Sequence, residues 1–140
     1  MDFRIAEYSS DQEVQQLAAT LKSQGSDALQ KTVEDMREKG RISSPATTGW
    51  RVPVVRQRPA PKGRQIIMFT DRPVSIFEAR NAVRSRDYSF GFVVLDLNEK
   101  DEGTGTLYMA CKIAFTKNNE LQVEHFAAEP VRLMAVRRID

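Results

Sequence analysis

Residues 63–98 read GRQIIMFTDRPVSIFEARNAVRSRDYSFGFVVLDLN, and this stretch decides the fold. Its two ends, residues 64–70 and 88–97, are the most continuously apolar parts of the chain, which predicts two strands. Because apolar residues occupy successive positions, we expect both strands to be buried on both faces and to lie at the centre of a sheet. Between them a short helix is predicted from Ser75, and a charged run leads into the second strand.

The N-terminal part of the chain predicts a pair of helices that covers one face of this sheet. Ser10 and Glu13 have the spacing of a capping box, which marks the start of a helix. Gly25 ends that helix, and a second helix is expected from Asp27 to Gly40. Two helices joined by so short a turn form an antiparallel hairpin.

The rest of the chain predicts antiparallel strands. They are expected at Phe3 and Ile5 and at residues 50–58, 105–117, 121–126 and 131–139. Pro53 indicates an edge strand, and residues 41–49 are interpreted as a loop. The expected fold class is therefore α+β, with the N-terminal helical pair packed on a curled, mostly antiparallel sheet of about six or seven strands. We expect one domain over residues 1–140, with the second sheet face covered by curling of the sheet, by a partner or by a ligand.

The composition is that of a globular protein, with 140 residues, 41% hydrophobic and 29% charged, and a formal net charge of +2. A single cysteine excludes an intramolecular disulfide. No apolar run approaches the roughly 20 residues of a membrane span, and the first residues lack the apolar core of a signal peptide. We therefore expect a soluble protein, cytoplasmic by default, although an exported chain that has lost its leader would look the same.

The charged segment between the two central strands is the candidate site. A helix that begins at Ser75 would present free N–H groups to an anion, and Arg84 and Arg86 could add bidentate donors. Alternatively, Asp71 and Asp87 pair with these arginines and only pin the segment to the sheet. The charged and aromatic members are Asp71, Arg72, Glu78, Arg80, Arg84, Arg86, Asp87 and Tyr88.

Three classes of function follow from this segment. The leading hypothesis is a non-enzymatic binding domain that holds a small molecule or a protein partner through Asp71, Arg72, Glu78, Arg84, Arg86, Asp87 and Tyr88. The first alternative is a hydrolase-like enzyme with Glu78 or Asp87 as general base and Arg84 or Arg86 steadying an anion. The second is a structural module in which strand 50–58 or the last strand pairs between chains. No catalytic residue, metal ligand or cofactor is assigned.

Cysteine and histidine chemistry is disfavoured by the pattern. Cys111 is in phase with apolar neighbours such as Met109 and Ile113, which predicts a core residue. His125 continues the parity of the apolar residues on its own strand, and one His with one Cys is too few for a zinc site.

A basic hairpin offers a possible nucleic-acid surface. It contains Trp50, Arg51, Arg56, Arg58, Lys62 and Arg64. Basic residues beside an aromatic can bind single strands, but the nearly balanced charge and the absence of a nucleic-acid-binding motif argue against this partner.

Short motifs in a fixed order resemble a group of small bacterial α+β proteins of uncharacterised function. They are Tyr8-Ser9-Ser10, Gly40-Arg41-Ile42, Thr70-Asp71-Arg72-Pro73, Ser85-Arg86-Asp87-Tyr88-Ser89-Phe90, Gly103-Thr104-Gly105-Thr106-Leu107 and Glu129-Pro130-Val131-Arg132-Leu133. The resemblance implies a single domain. Other members of the group often carry export signals, and the group brings no known activity or catalytic residue.

Overall fold

Helices and strands account for most of the chain that the computed structural model describes, which is residues 1–45, 49–74, 89–126 and 129–139. In chain order the elements are β1 (Asp2–Ile5), α1 (Asp11–Gln24), α2 (Ser26–Glu34), β2 (Gly40–Ser43), β3 (Trp50–Val52), β4 (Val54–Ala60), β5 (Gly63–Phe69), β6 (Phe90–Asn98), β7 (Glu102–Phe115), β8 (Leu121–Phe126) and β9 (Val131–Arg137). The helix predicted from Ser75 and the first residue of the strand predicted at 88–97, Tyr88, lie outside the described residues, and β6 begins at Phe90.

The helical pair begins as the capping box predicts. The Glu13 backbone N–H donates to Ser10 Oγ at 3.2 Å, and the Ser10 N–H donates to Glu13 Oε1 at 3.1 Å. Gly25, with φ of 91°, ends α1 and donates its N–H to the Leu21 carbonyl at 3.0 Å. Positive φ is easy for glycine, so the chain turns here directly into α2.

The second helix is shorter than predicted, and this prediction was wrong. It ends at Glu34, whereas Gly40 is the first residue of β2. Lys39 donates its N–H to Val52 O at 2.9 Å and accepts from Ala6 N at 2.8 Å. The backbone before Gly40 is therefore extended, because it joins the sheet rather than the helix.

A six-stranded antiparallel sheet forms the centre of the fold. Its order is β4-β5-β6-β7-β8, and β9 also pairs with β7. The long strand β7 takes β8 along its C-terminal half and β9 along its N-terminal half. The α+β class, with a helical pair packed on a curled antiparallel sheet, is thus confirmed.

One face of the large sheet is buried under the two helices. Leu17, Leu29 and Val33 pack against the strands, and Phe69 meets Phe90 edge to face with ring centroids 5.7 Å apart. Each such buried side chain contributes about 2 kcal/mol relative to exposure. The helical pair therefore covers one face of the sheet, as predicted.

The opposite face is covered by a second, three-stranded sheet of order β1-β2-β3. Its inward residues Ile42, Trp50 and Val52 pack on a cluster that includes Met68 and Val93. This finding answers the question that the sequence left open, since the chain itself covers both faces of β5 and β6. The interpretation of residues 41–49 as a loop was wrong for residues 41–43, which belong to β2, because a four-residue strand gives too short a pattern to be recognised. Residues 44, 45 and 49 lie outside the strands, and residues 46–48 lie outside the described part of the chain.

Residues 50–58 form two strands rather than one. Pro53 separates β3, in the small sheet, from β4, at the edge of the large sheet. Proline has no N–H to continue either ladder, so the chain changes sheets at this residue. The predicted edge position is confirmed for β4.

Cys111 shares a face with Ile113, as predicted, but the prediction that Met109 lies on the same face was wrong. Phe90 pairs with Cys111 and Phe92 with Tyr108, so β7 carries one more residue than β6 between these pairs. Such a bulge reverses the facing of the residues beyond it. Leu107 consequently packs under the small sheet, whereas Cys111 packs under the helices.

Candidate functional site

The turn that follows β5 is fixed to its neighbours by backbone hydrogen bonds. Thr70 N donates to Gly91 O at 2.9 Å, and Gly91 N donates to Thr70 Oγ1 at 2.9 Å. Val74 N donates to Met109 O at 2.7 Å. A Cβ at Gly91 would lie 2.5 Å from Val74 Cγ2, so the close approach requires glycine. Residues 70–74 therefore have a defined position, and with them Asp71.

Asp71 is 8% exposed and pairs with an arginine of the small sheet. Its Oδ2 accepts from Arg51 Nη1 at 2.5 Å. The same guanidinium donates to Glu34 O at 3.3 Å and to Met36 O. Gln30 Nε2 also donates to the Asp71 carbonyl at 3.3 Å. The end of α2, strand β3 and the end of β5 are thus held together by charge-assisted hydrogen bonds.

A second arginine lies beside Arg51 on the outward face of the small sheet. Arg41 of β2 and Arg51 of β3 are register partners, so their side chains share a face. Arg41 Nε lies 3.3 Å from Glu38 Oε1. Directly opposed like charges destabilise a sheet, and the carboxylates of Asp71 and Glu38 offset part of that cost.

These residues border a cleft of about 350 Å³. Its lining residues are Arg41, Gly49, Arg51, Asp71 and Arg72. Arg72 is exposed and donates through Nη2 to Gly49 O at 3.4 Å, a long hydrogen bond. Among the described residues that line the cleft, three are arginines and one is an aspartate, so this lining carries more positive than negative charge.

Gly49 allows the strands to close around this cleft. Its φ is +94°, and a Cβ there would lie 2.5 Å from Ile42 O and 3.1 Å from Ser43 Cβ. Any other residue would be strained and would push β3 away from β2. The glycine therefore keeps Arg41 and Arg51 at the separation of paired strands.

The structure places two of the predicted site residues, Asp71 and Arg72, at this cleft. The others, Glu78, Arg80, Arg84, Arg86, Asp87 and Tyr88, lie outside the described residues, and their roles stay predictions. Sequence reasoning did not assign Arg41 or Gly49 to any site, and it placed Arg51 in the basic hairpin rather than with Asp71 and Arg72. Only the pairing of β2 with β3 brings Arg41, Gly49 and Arg51 together, and β2 was interpreted as a loop.

Cys111 is a core residue, as predicted. It is fully buried, and burial raises the pKa of its thiol to about 12. A thiol with this pKa is protonated and inert at neutral pH.

His125 is exposed, and the predicted continuation of the core face was wrong. Val123 pairs with Ile113 and His125 with Lys112, so β8 carries an extra residue between them. This bulge turns His125 to the face opposite Cys111. In the described part of the chain, no group of three His, Cys, Asp or Glu lies together to hold a metal ion.

The basic hairpin is largely committed to ion pairs within the chain. Arg56 pairs with Asp11 at 2.6 Å, and Arg64 pairs with Asp101 at 3.1 Å. Trp50, which would supply a stacking surface, is only 7% exposed. These contacts give the hairpin a structural explanation.

The edge strand β4 is partly covered by the chain itself. Ser9 N donates to Val55 O at 2.8 Å, and Val55 N donates to Ser9 Oγ at 3.1 Å. Pro59 has no N–H to offer further along the same strand. Both features hinder pairing of this edge with another chain.

Comparison with protein-family models, curated proteins and solved structures finds no match. The resemblance to small bacterial proteins stays a prediction. Among the described residues, no helix has the length and apolar character needed to cross a membrane.

Proposed function

We propose that this protein is a binding domain that holds a small molecule through an anionic group, of the phosphate or carboxylate type, in the cleft beside Asp71 and Arg72. The observation that carries the proposal is the convergence of Arg41, Arg51 and Arg72 on one cleft. Guanidinium groups bind planar or tetrahedral oxyanions with two parallel hydrogen bonds, which is why arginine dominates such sites.

The size of the cleft favours a small ligand. Small-molecule sites usually measure about 300–1,000 Å³, and the 350 Å³ of this cleft lies at the lower end of that range. A compact anion or the anionic end of a larger metabolite fits such a volume. Arginines outnumber carboxylates among the described lining residues, even when Glu38 beside Arg41 is counted, and this favours a doubly charged group, such as phosphate, over a single carboxylate.

The arginines have different roles in this proposal. Arg51 is held by Asp71, by Glu34 O and by Met36 O, so it is ordered before any ligand arrives. Such preorganisation lowers the entropic cost of binding. Arg72 is exposed, and its hydrogen bond to the described part of the chain is a long one to Gly49 O, so it is the side chain able to turn onto the ligand.

The proposal is tested by calorimetric titration of the purified protein with inorganic phosphate and with citrate. Arg72→Gln is expected to raise the dissociation constant of the bound anion about tenfold, because one charge-assisted hydrogen bond is lost. Arg72→Lys should lose less affinity, since lysine keeps the positive charge but cannot donate two parallel hydrogen bonds. The matched control is Arg132→Gln, an exposed arginine of β9 outside the cleft lining.

Equal affinities in Arg72→Gln, Arg132→Gln and the unmodified protein would contradict the proposal. So would the absence of measurable binding of either anion.

A further inference from the structure

The two arginines of the cleft belong to a longer row. Arg4 of β1 is the register partner of Arg41, and Arg41 is in turn the partner of Arg51. One arginine from each strand of the small sheet therefore lies on a line perpendicular to the strands. Neighbouring strands lie about 4.8 Å apart, so the row is roughly 10 Å long at the backbone.

The row lies on the outward face of the small sheet. The chain neighbours of Arg4, Phe3 and Ile5, pack against the second core cluster, and so does Ile42 beside Arg41. Because successive side chains of a strand point to opposite faces, Arg4 and Arg41 point away from that core. Arg4 is exposed, and its register partner Arg41 is one of the residues that line the cleft.

A row of three arginines has an electrostatic cost. Like charges directly opposite one another destabilise a sheet, and the three strands of this one place such pairs twice in succession. Asp71 lies against Arg51 and Glu38 against Arg41. Within the described residues, Arg4 has no ion-pair partner, although Asp2 lies on the same face one pair further along β1. An anion bound along the row would relieve this repulsion.

We infer that the ligand carries a second anionic group and that Arg4 binds it. The site therefore binds a diphosphate-type ligand in preference to a single phosphate. This inference rests on the proposed function and names the ligand class of the same cleft. One anionic group lies between Arg72 and Arg51, and the next lies over Arg41 within reach of Arg4. Each group then contacts two guanidinium donors.

The test compares inorganic phosphate with pyrophosphate, titrated into the full chain without divalent cations at constant ionic strength. Arg4→Gln is expected to weaken pyrophosphate binding about tenfold and to leave phosphate binding unchanged. Arg72→Gln is expected to weaken both anions. Arg132→Gln controls for the loss of one positive charge elsewhere. Since Arg4 is exposed, its variant should fold, which circular dichroism checks.

Two results overturn the inference and leave the proposed function intact. In the first, Arg4→Gln binds pyrophosphate as well as the unmodified protein does, while Arg72→Gln weakens both anions. In the second, Arg4→Gln weakens phosphate and pyrophosphate equally, which indicates a general field effect. If the unmodified protein binds neither anion, or if Arg72→Gln changes neither affinity, the proposed function itself fails.

Discussion

Arg51 Nη1 lies 2.5 Å from Asp71 Oδ2, and this ion pair joins the small sheet to the end of β5. The same guanidinium donates to the carbonyl oxygens of Glu34, the last residue of α2, and of Met36, two residues beyond it. One side chain thus fixes three elements around the cleft. The ion pair that borders the cleft is therefore expected to contribute to the stability of the fold.

Asp71→Asn should therefore destabilise the fold. The variant removes the charge from a carboxylate that is mostly buried and leaves Arg51 without its counter-ion. We expect a loss of about 2 kcal/mol in the free energy of unfolding, measured by urea denaturation. The control is Glu120→Gln, which breaks the exposed pair with Arg58 and should cost about 0–1 kcal/mol. Equal losses of unfolding free energy in both variants would show that the Arg51–Asp71 pair contributes no more than an exposed ion pair.

Gly91→Ala should disturb the turn that carries Asp71. The added Cβ would meet Val74 Cγ2 at 2.5 Å and Thr70 Oγ1 at 2.8 Å. Overpacking of this kind costs about 1–3 kcal/mol and should also weaken anion binding, because the 70–74 turn must shift. Gly25→Ala is the control. Its new Cβ would have no atom within 4 Å, so the variant loses stability only through the positive φ of residue 25. It should lower stability without changing anion affinity, and an unchanged affinity in Gly91→Ala would contradict the prediction.

Ala135→Gly should stabilise the protein. Ala135 has φ of 53°, where a Cβ is unfavourable and glycine is not. It lies in β9 where the register with β7 shifts between Gly103 and Gly105. We expect a gain of about 0.5–1 kcal/mol, seen as a higher melting temperature in calorimetry. Ala19→Gly on the exposed face of α1 makes the same chemical change and should lose about 1 kcal/mol. A loss in both variants would refute the conformational explanation.

Stability should fall in acid in a way that depends on Glu13. The hydrogen bond from Lys39, which is 2.9 Å away and has a side chain only 6% exposed, holds the pKa of Glu13 below its ordinary value of 4.5. A carboxyl with a lowered pKa in the folded state stabilises the fold above its unfolded value. That contribution is lost as the pH falls below about 4.5 through the folded pKa. The urea midpoint should fall less steeply between neutral pH and acid in Glu13→Gln than in the unmodified protein. Plots of midpoint against pH that run parallel for the two proteins would contradict the role of Glu13.

Asp101 adds to the same acid sensitivity. Desolvation works to raise its pKa, but hydrogen bonds from Arg138 and Arg64 outweigh it and hold the pKa below the ordinary 3.8. The urea midpoint of Glu13→Gln should therefore still fall at lower pH, because Asp101 still contributes to stability and loses that contribution when it is protonated.

The features that sequence reasoning predicted are local ones. The capping box of Ser10 and Glu13 and the apolar stripes of the helices depend on residues three or four positions apart. The central strands β5 and β6 are recognisable in the sequence by their unbroken apolar runs. Each of these signals needs no knowledge of a distant partner.

The features that it missed depend on pairing between distant residues. Strand β2 has only four residues, and its role is visible only against β1 and β3. The cleft was missed for the same reason, since Arg41 and Arg51 become neighbours through that pairing. The bulge between Tyr108 and Cys111 was invisible because apolar residues continue on both sides of it.

The most direct test of anion binding at the cleft is an NMR titration of isotopically labelled protein with inorganic phosphate at neutral pH. We expect saturable shifts of the backbone amides of Arg41, Gly49, Arg51 and Arg72, together with the Arg51 side-chain Nε–H, all fitting one dissociation constant. Shifts that stay linear with phosphate concentration, or that saturate on another surface while these residues stay unchanged, would contradict an anion site in the cleft.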